Sequence, residues 1–214
     1  MTVLVDYLVA RHGLPPRSGL AYDYVVAGDG LFVAASSSLL EVRIPVARCR
    51  IRGLESVYAA CTLLRGRVPT GCWEAVLGCL RLAHTAGCEV LVGIAHDAAR
   101  GYHLVLPDQA VGPIAVEYTP EDGWLLEVHS HRDGPARFSA TDTADKQRLR
   151  LYGVVGWLNQ PRPQVTLRAG AYGYFLPVPW TSVFDGDPHS VDDVHGDGHR
   201  PSDEWGALLP GARR

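Results

Sequence analysis

The chain has 214 residues, 47% of them hydrophobic and 20% charged, with a formal net charge of −3 at pH 7. These values are typical of a globular protein with one sizeable core and an appendage, and the lack of a basic surplus argues against nucleic-acid binding. No apolar run approaches the roughly 18–20 residues of a membrane span, and the N-terminus does not begin as a signal peptide, so we expect a cytoplasmic protein with no membrane partner.

The cysteines agree with a reducing compartment. They are odd in number and show no paired spacing, which is typical of free thiols rather than disulfides. The five are Cys49, Cys61, Cys72, Cys79 and Cys88. Their spacing does not predict a second, cysteine-rich zinc site.

The first third of the chain is predicted to be rich in β-structure. Residues 24–26, 31–33 and 42–46 have the pattern of short strands, and residues 28–30 have that of a hairpin turn. We therefore expect residues 1–66 to form an N-terminal β-rich extension or subdomain.

A helix is predicted next, opening at residues 68–71 and ending at Gly87. Its apolar stripe at helical spacing consists of Trp73, Val76, Leu77 and Leu80. Strands are predicted near residues 88–95 and 102–107, joined by a tight turn.

The most informative pattern lies between residues 124 and 142. Residues 124–128 have the composition of a buried strand that ends in His129 and His131. Seven residues later, Ser139 and Asp142 have the spacing of a helix N-cap with its capping-box partner. Histidines two apart on a strand point to one face, so strand end and helix start can converge.

Two histidines and one carboxylate are the ligand set of a catalytic zinc site, which keeps a fourth position open for water. A plainer interpretation is that His129 and His131 lie on the surface while Ser139 and Asp142 only cap a helix. That interpretation explains each part separately, but the four positions at this spacing favour a metal site.

The pattern H-S-H, seven residues, S-x-x-D resembles the signature of the JAMM (MPN-domain) zinc metallopeptidases. The resemblance implies that His129, His131 and Asp142 bind one zinc ion per chain and that Ser139 helps to hold the oxyanion. The family also has a glutamate in an E-x-x-x-G pattern on an earlier strand, which Glu89–Gly93 matches.

JAMM enzymes are isopeptidases that remove ubiquitin or ubiquitin-like proteins, and bacterial members also process small sulfur-carrier proteins. We therefore expect a zinc-dependent isopeptidase or peptidase that hydrolyses the bond after the C-terminus of such a protein. Zinc-activated water would attack with Glu89 as general base. Glu127 is a second candidate for the base or for an acceptor that fixes a histidine tautomer, because it alternates onto the same strand face as His129 and His131.

Residues 127–145 and 165–186, the latter including Tyr172–Phe175 and Pro179–Trp180, carry a closer resemblance. Over residues 67–186 the chain resembles the A-protein family of PRTRC systems. These bacterial gene sets also encode a small ubiquitin-like protein and an adenylating enzyme of the ThiF type, which is thereby implied as a candidate partner. Two positions depart from the JAMM pattern: Arg132 replaces the usual proline, and Val128 stands where an aromatic residue is common. Both would alter the rim that faces the substrate.

Further strands are predicted at residues 154–158 and 165–168. With the resemblance, they imply an α/β (α+β) fold of the JAMM/MPN (cytidine-deaminase-like) type, a largely antiparallel central sheet flanked by helices. We expect this domain to span residues 67–186 and to be followed by a disordered tail at 187–214, which is rich in Gly, Asp, Pro and His.

Other functions remain open. Many MPN domains are non-catalytic scaffolds, although these have usually lost ligands. A metallo-β-lactamase-like hydrolase is less favoured, because His129–Asp133 begins its motif but Gly134 replaces the last histidine. The remaining histidines would have to come from the predicted tail. Nucleobase deaminases need a C-x-x-C pair, which the sequence lacks.

Overall fold

The computed structural model describes residues 4–111, 116–119, 122–187 and 192–193. Apart from residues 192–193, the predicted tail beyond residue 187 lies outside the described residues. The division of the chain into three regions stays a prediction.

The N-terminal third of the chain forms a five-stranded sheet. Its strands are β1 (Val5–Val9), β2 (Tyr22–Ala27), β3 (Gly30–Ser36), β4 (Leu40–Arg48) and β5 (Ala60–Leu63). They are hydrogen-bonded in chain order, with β1 parallel to β2 and the other neighbours antiparallel. The turn predicted at residues 28–30 is confirmed, since it joins β2 to β3.

The next strands are β6 (Leu91–Asp97), β7 (Gly101–Val105), β8 (Gln109–Val111), β9 (Val116–Tyr118), β10 (Trp124–Ser130), β11 (Arg150–Gly156), β12 (Gln164–Ala171), β13 (Tyr174–Pro177) and the two-residue β14 (Asp192–Asp193). A second sheet has the order β13-β12-β11-β10-β6-β7, with β14 paired to β12, while β8 pairs with β9. The pair β10–β11 is parallel, and both strands are buried along their whole length.

Three helices occur in the described residues: α1 (Thr70–Thr85), α2 (Ala140–Asp145) and α3 (Trp180–Val183). The predicted stripe of α1 is confirmed in that Trp73, Val76 and Leu80 are buried. The helix ends at Thr85, and Gly87, which was predicted to terminate it, lies two residues beyond with a φ of 77° and donates its N–H to the carbonyl of His84. None of these helices is both long and apolar enough to cross a membrane.

The expected JAMM/MPN α/β fold with helices flanking the central sheet is wrong. The structure is mostly β, with 43% strand and 14% helix among the described residues. The N-terminal sheet supplies packing that the prediction assigned to helices. The core cluster that contains Leu126 of β10 and Leu151 of β11 also contains Val42 and Ile44 of β4.

The shortness of α2 also contributes to the low helix content. Lys146 follows its last residue with a ψ of 70°, outside helical geometry, and its ammonium pairs with buried Glu127. The chain then enters β11 at Arg150. The helix that Ser139 caps therefore has only six residues, and a buried strand follows it.

Candidate metal centre

The two histidines lie at the end of β10. The strand is confirmed where the sequence predicted it, and His129 is its second-last residue. His131 follows the strand, and its N–H donates to the carbonyl of Val155 in β11 at 2.8 Å. Alternation along the extended backbone sends both imidazoles to the same side, where their Nε2 atoms are 3.2 Å apart.

Asp142 reaches the histidines from the first turn of α2. Ser139 caps this helix, since its Oγ accepts from the Asp142 N–H at 3.1 Å and its own N–H donates to Asp142 Oδ2 at 2.6 Å. The predicted capping box is therefore confirmed. It aims the carboxylate back toward the strand, and Asp142 Oδ1 lies 3.2 Å from His129 Nε2.

His129, His131 and Asp142 form a group that could hold a metal ion, with one donor atom from each within 4.8 Å of the others. The Nε2 atoms of His129 and His131 lie 3.2 Å and 4.0 Å from the nearer Asp142 oxygens. Zinc with ligands at about 2.0–2.1 Å in a tetrahedron requires donors about 3.3 Å apart. The side chains therefore fit a small tetrahedral cation.

A backbone carbonyl fixes the orientation of the His131 ring. Its Nδ1 lies 3.2 Å from the oxygen of Pro135, so an Nδ1–H donates there and leaves the Nε2 lone pair for a metal. The loop that carries Pro135 is itself held by β12, because Thr166 Oγ1 donates to the Ala136 carbonyl at 2.5 Å. This support explains how a loop can orient a ligand.

Burial and mutual contact set the charge of His129 and Asp142. Burial lowers the pKa of His129, although Asp142 opposes that shift, so the neutral ring that binds metals is favoured. Burial alone would raise the pKa of Asp142, but hydrogen bonds from His129 and Ser139 hold it well below its usual range. The unprotonated forms needed for coordination are thus preferred.

Glu89 lies just before β6, not on the strand where the resemblance would place it. The β10–β6 register pairs His129 with Leu91, so its continuation places Glu89 opposite His131. Burial raises the pKa of Glu89, while the charges of His131 and Arg132 lower it and that of Asp142 raises it. The fold thus brings Glu89 within electrostatic reach of the metal-ligand group.

Glu127 has different surroundings. Its side chain is 3% exposed and forms ion pairs with Lys146 and, at 3.1 Å, with Arg150. The hydroxyl of Tyr118 donates to the same carboxylate at 2.6 Å. The sequence did not predict this buried ion-pair network. The one feature that could have drawn attention to it is that Lys146 is the only lysine in the sequence.

Comparison with known proteins does not identify the chain. No protein-family model matches the sequence, and no curated protein matches it either.

Proposed function

We propose that this chain is a zinc-dependent peptidase or isopeptidase of the JAMM type in its chemistry. The observation that carries the proposal is the spacing of the donor atoms of His129, His131 and Asp142, which suits a tetrahedral ion. Three protein ligands leave a fourth position for water or substrate, as in catalytic rather than structural zinc sites.

A zinc ion at these ligands would supply Lewis acidity, which lowers the pKa of water and polarises a carbonyl. The carboxylate of Glu89 takes a proton from the attacking water and passes it to the leaving amine nitrogen. Ser139 Oγ accepts the Asp142 N–H, which leaves its hydroxyl proton free to donate to the developing oxyanion. Glu127 suits the role of base less well, because two buried cations already pair with it.

The proposed substrate is the C-terminal tail of a ubiquitin-like or sulfur-carrier protein, with a ThiF-type adenylating enzyme as a candidate partner. The support for both is the similarity of the segment around His129–Asp142 to the JAMM and PRTRC families. Action in the cytoplasm is part of the same proposal.

Metal content tests the proposal first. Elemental mass spectrometry should find one zinc per chain in the purified protein and none in His131→Ala or Asp142→Ala, with circular dichroism showing that both variants are folded. His12→Ala removes an exposed histidine and serves as the matched control, which should retain zinc. If the unsubstituted protein binds no metal after zinc is added, the hydrolase proposal fails and a scaffold role remains.

Cleavage of a ubiquitin-like protein fused to a reporter at its C-terminus tests the base. At saturating zinc, Glu89→Gln should keep the metal and lower kcat by roughly 10²-fold or more, because the amide cannot accept the proton. If Glu127→Gln abolishes cleavage under these conditions and Glu89→Gln does not, the assignment of Glu89 is wrong.

A further inference from the structure

The chain has one lysine and 19 arginines, and the lysine is buried beside the candidate metal centre. Lys146 directly follows the last residue of α2 and is its C-cap. Its ammonium pairs with Glu127 and lies 2.9 Å from the hydroxyl of Tyr118. A compact ammonium on a slender stem fits such a site better than the broad, planar guanidinium of arginine.

Asp142 in α2 and Lys146 at its C-cap are four residues apart, and both side chains contact residues of β10. Their partners, Glu127 and His129, are two residues apart and share one face of β10. Four helical residues rise about 6 Å. Two strand residues span about 6.6 Å. The helix and the strand therefore meet in two matched polar contacts, one of which is the metal-ligand pair Asp142–His129.

The second contact acts together with a hydrogen bond from Arg168 of β12 to Thr143 of α2, at 3.3 Å, in tying this short helix to the sheet. Six residues are too few for a helix to be stable by itself. The capping box joins Ser139 and Asp142 within the same segment, so it shapes the first turn without tying it to β10. Glu127, by contrast, is anchored in the sheet by its place on β10 and its ion pair with Arg150.

We propose that Lys146 and Glu127 are positioning residues for the metal centre. Their ion pair fixes the distance between α2 and β10, and through it the distance of the Asp142 carboxylate from the imidazoles of His129 and His131. The inference rests on the proposed metal site, and it requires no particular substrate. It predicts that breaking the pair weakens metal binding without removing a ligand.

The test compares Lys146→Met with Arg150→Met by Co²⁺ titration of metal-free protein. Each variant removes one cationic partner of Glu127, but only Lys146 is attached to α2, so Arg150→Met controls for the lost charge. Lys146→Met should weaken Co²⁺ binding about tenfold or more and reduce the visible absorption of tetrahedral Co²⁺. Arg150→Met should change the Co²⁺ affinity and the visible absorption much less. The two variants are compared at a temperature where each is folded.

Glu127→Gln breaks the same contact from the strand side, so it should reproduce the loss seen in Lys146→Met. If Lys146→Met does not fold, the double variant Lys146→Met/Glu127→Gln removes both buried charges and takes its place, with the same expected loss. Equal Co²⁺ affinity in Lys146→Met (or the double variant) and the unsubstituted protein would overturn the inference alone. Equal weakening in the lysine and arginine variants would also overturn it. Absence of Co²⁺ binding by the unsubstituted protein would overturn the proposed function as well.

Discussion

His129 couples the stability of the metal-free protein to pH. Burial lowers its pKa in the folded state, so the unfolded chain binds a proton more readily. The stabilising effect is therefore present above the ordinary histidine pKa and is lost as pH falls toward the lower folded pKa. We expect the free energy of unfolding of the metal-free protein to decrease between pH 7 and pH 5, measured by urea denaturation.

The comparison with His129→Asn isolates this contribution. Glu89 acts in the opposite direction, because burial raises its pKa and the folded state then binds protons more readily as pH falls. Both proteins contain Glu89, so the difference between their free energies of unfolding reports His129 alone. This difference should shrink toward pH 5, because the pKa of His129 is lowered in the folded state. His12→Asn, at an exposed histidine, is the control. A difference that does not change with pH would show that the pKa of His129 is the same in the folded and unfolded states.

Gly156, the last residue of β11, supports the loop that orients His131. A Cβ at this position would lie 2.2 Å from the oxygen of Gly134 and 2.5 Å from the nitrogen of Ala136. Because these are backbone atoms, the loop would have to move and take the carbonyl of Pro135 with it. We expect Gly156→Ala to lower both Tm and zinc affinity, the latter by about tenfold, as measured by thermal unfolding and competition with a chelating dye.

Gly78→Ala is the matched control, because Gly78 lies within α1 and a Cβ there meets nothing within 4 Å. That variant should gain about 0.5–1 kcal/mol of stability from the higher helix propensity of alanine and keep its zinc affinity. If Gly156→Ala also keeps full affinity, the loop tolerates displacement and Pro135 does not orient the ligand.

Local patterns made much of the site predictable. The buried strand that ends at His129 and the cap formed by Ser139 and Asp142 each depend on neighbouring residues, so composition and spacing reveal them. The pairing of Lys146 with Glu127 does not follow from sequence, because it joins residues 19 apart through the turn that ends α2. The position of Glu89 depends on the register of β6 against β10, which is likewise set by tertiary packing.

Individual strands were easier to predict than their assembly into layers. The turn at residues 28–30 and the strands on either side are confirmed, because hairpins are encoded by adjacent residues. Which layer covers the second sheet is decided by contacts of β4 with β12 and β13, which are far from it in the chain. Helices were expected there from the resemblance over residues 67–186, which short motifs carry, and such motifs do not specify the layers around them.

A pair of tyrosines links the two sheets. The hydroxyl of Tyr24 in β2 lies 2.6 Å from that of Tyr174 in β13, and this hydrogen bond, with burial, raises the pKa of Tyr174 to about 12. Tyr24→Phe and Tyr174→Phe should each lower the free energy of unfolding by about 0.5–1.5 kcal/mol. Because both substitutions remove the same bond, the double variant should lose less than the sum of the two single losses.

Chemical denaturation of the four proteins in this cycle measures the coupling between the sheets. Tyr7→Phe is the control, since its ring stacks on Tyr24 at 5.5 Å but the residue is 70% exposed, so removal of its hydroxyl should change stability little. Fully additive losses would mean that the two hydroxyls do not interact in solution. A coupling free energy clearly above zero would mean that the two hydroxyls interact in solution and that this bond joins the N-terminal sheet to the sheet that carries His129.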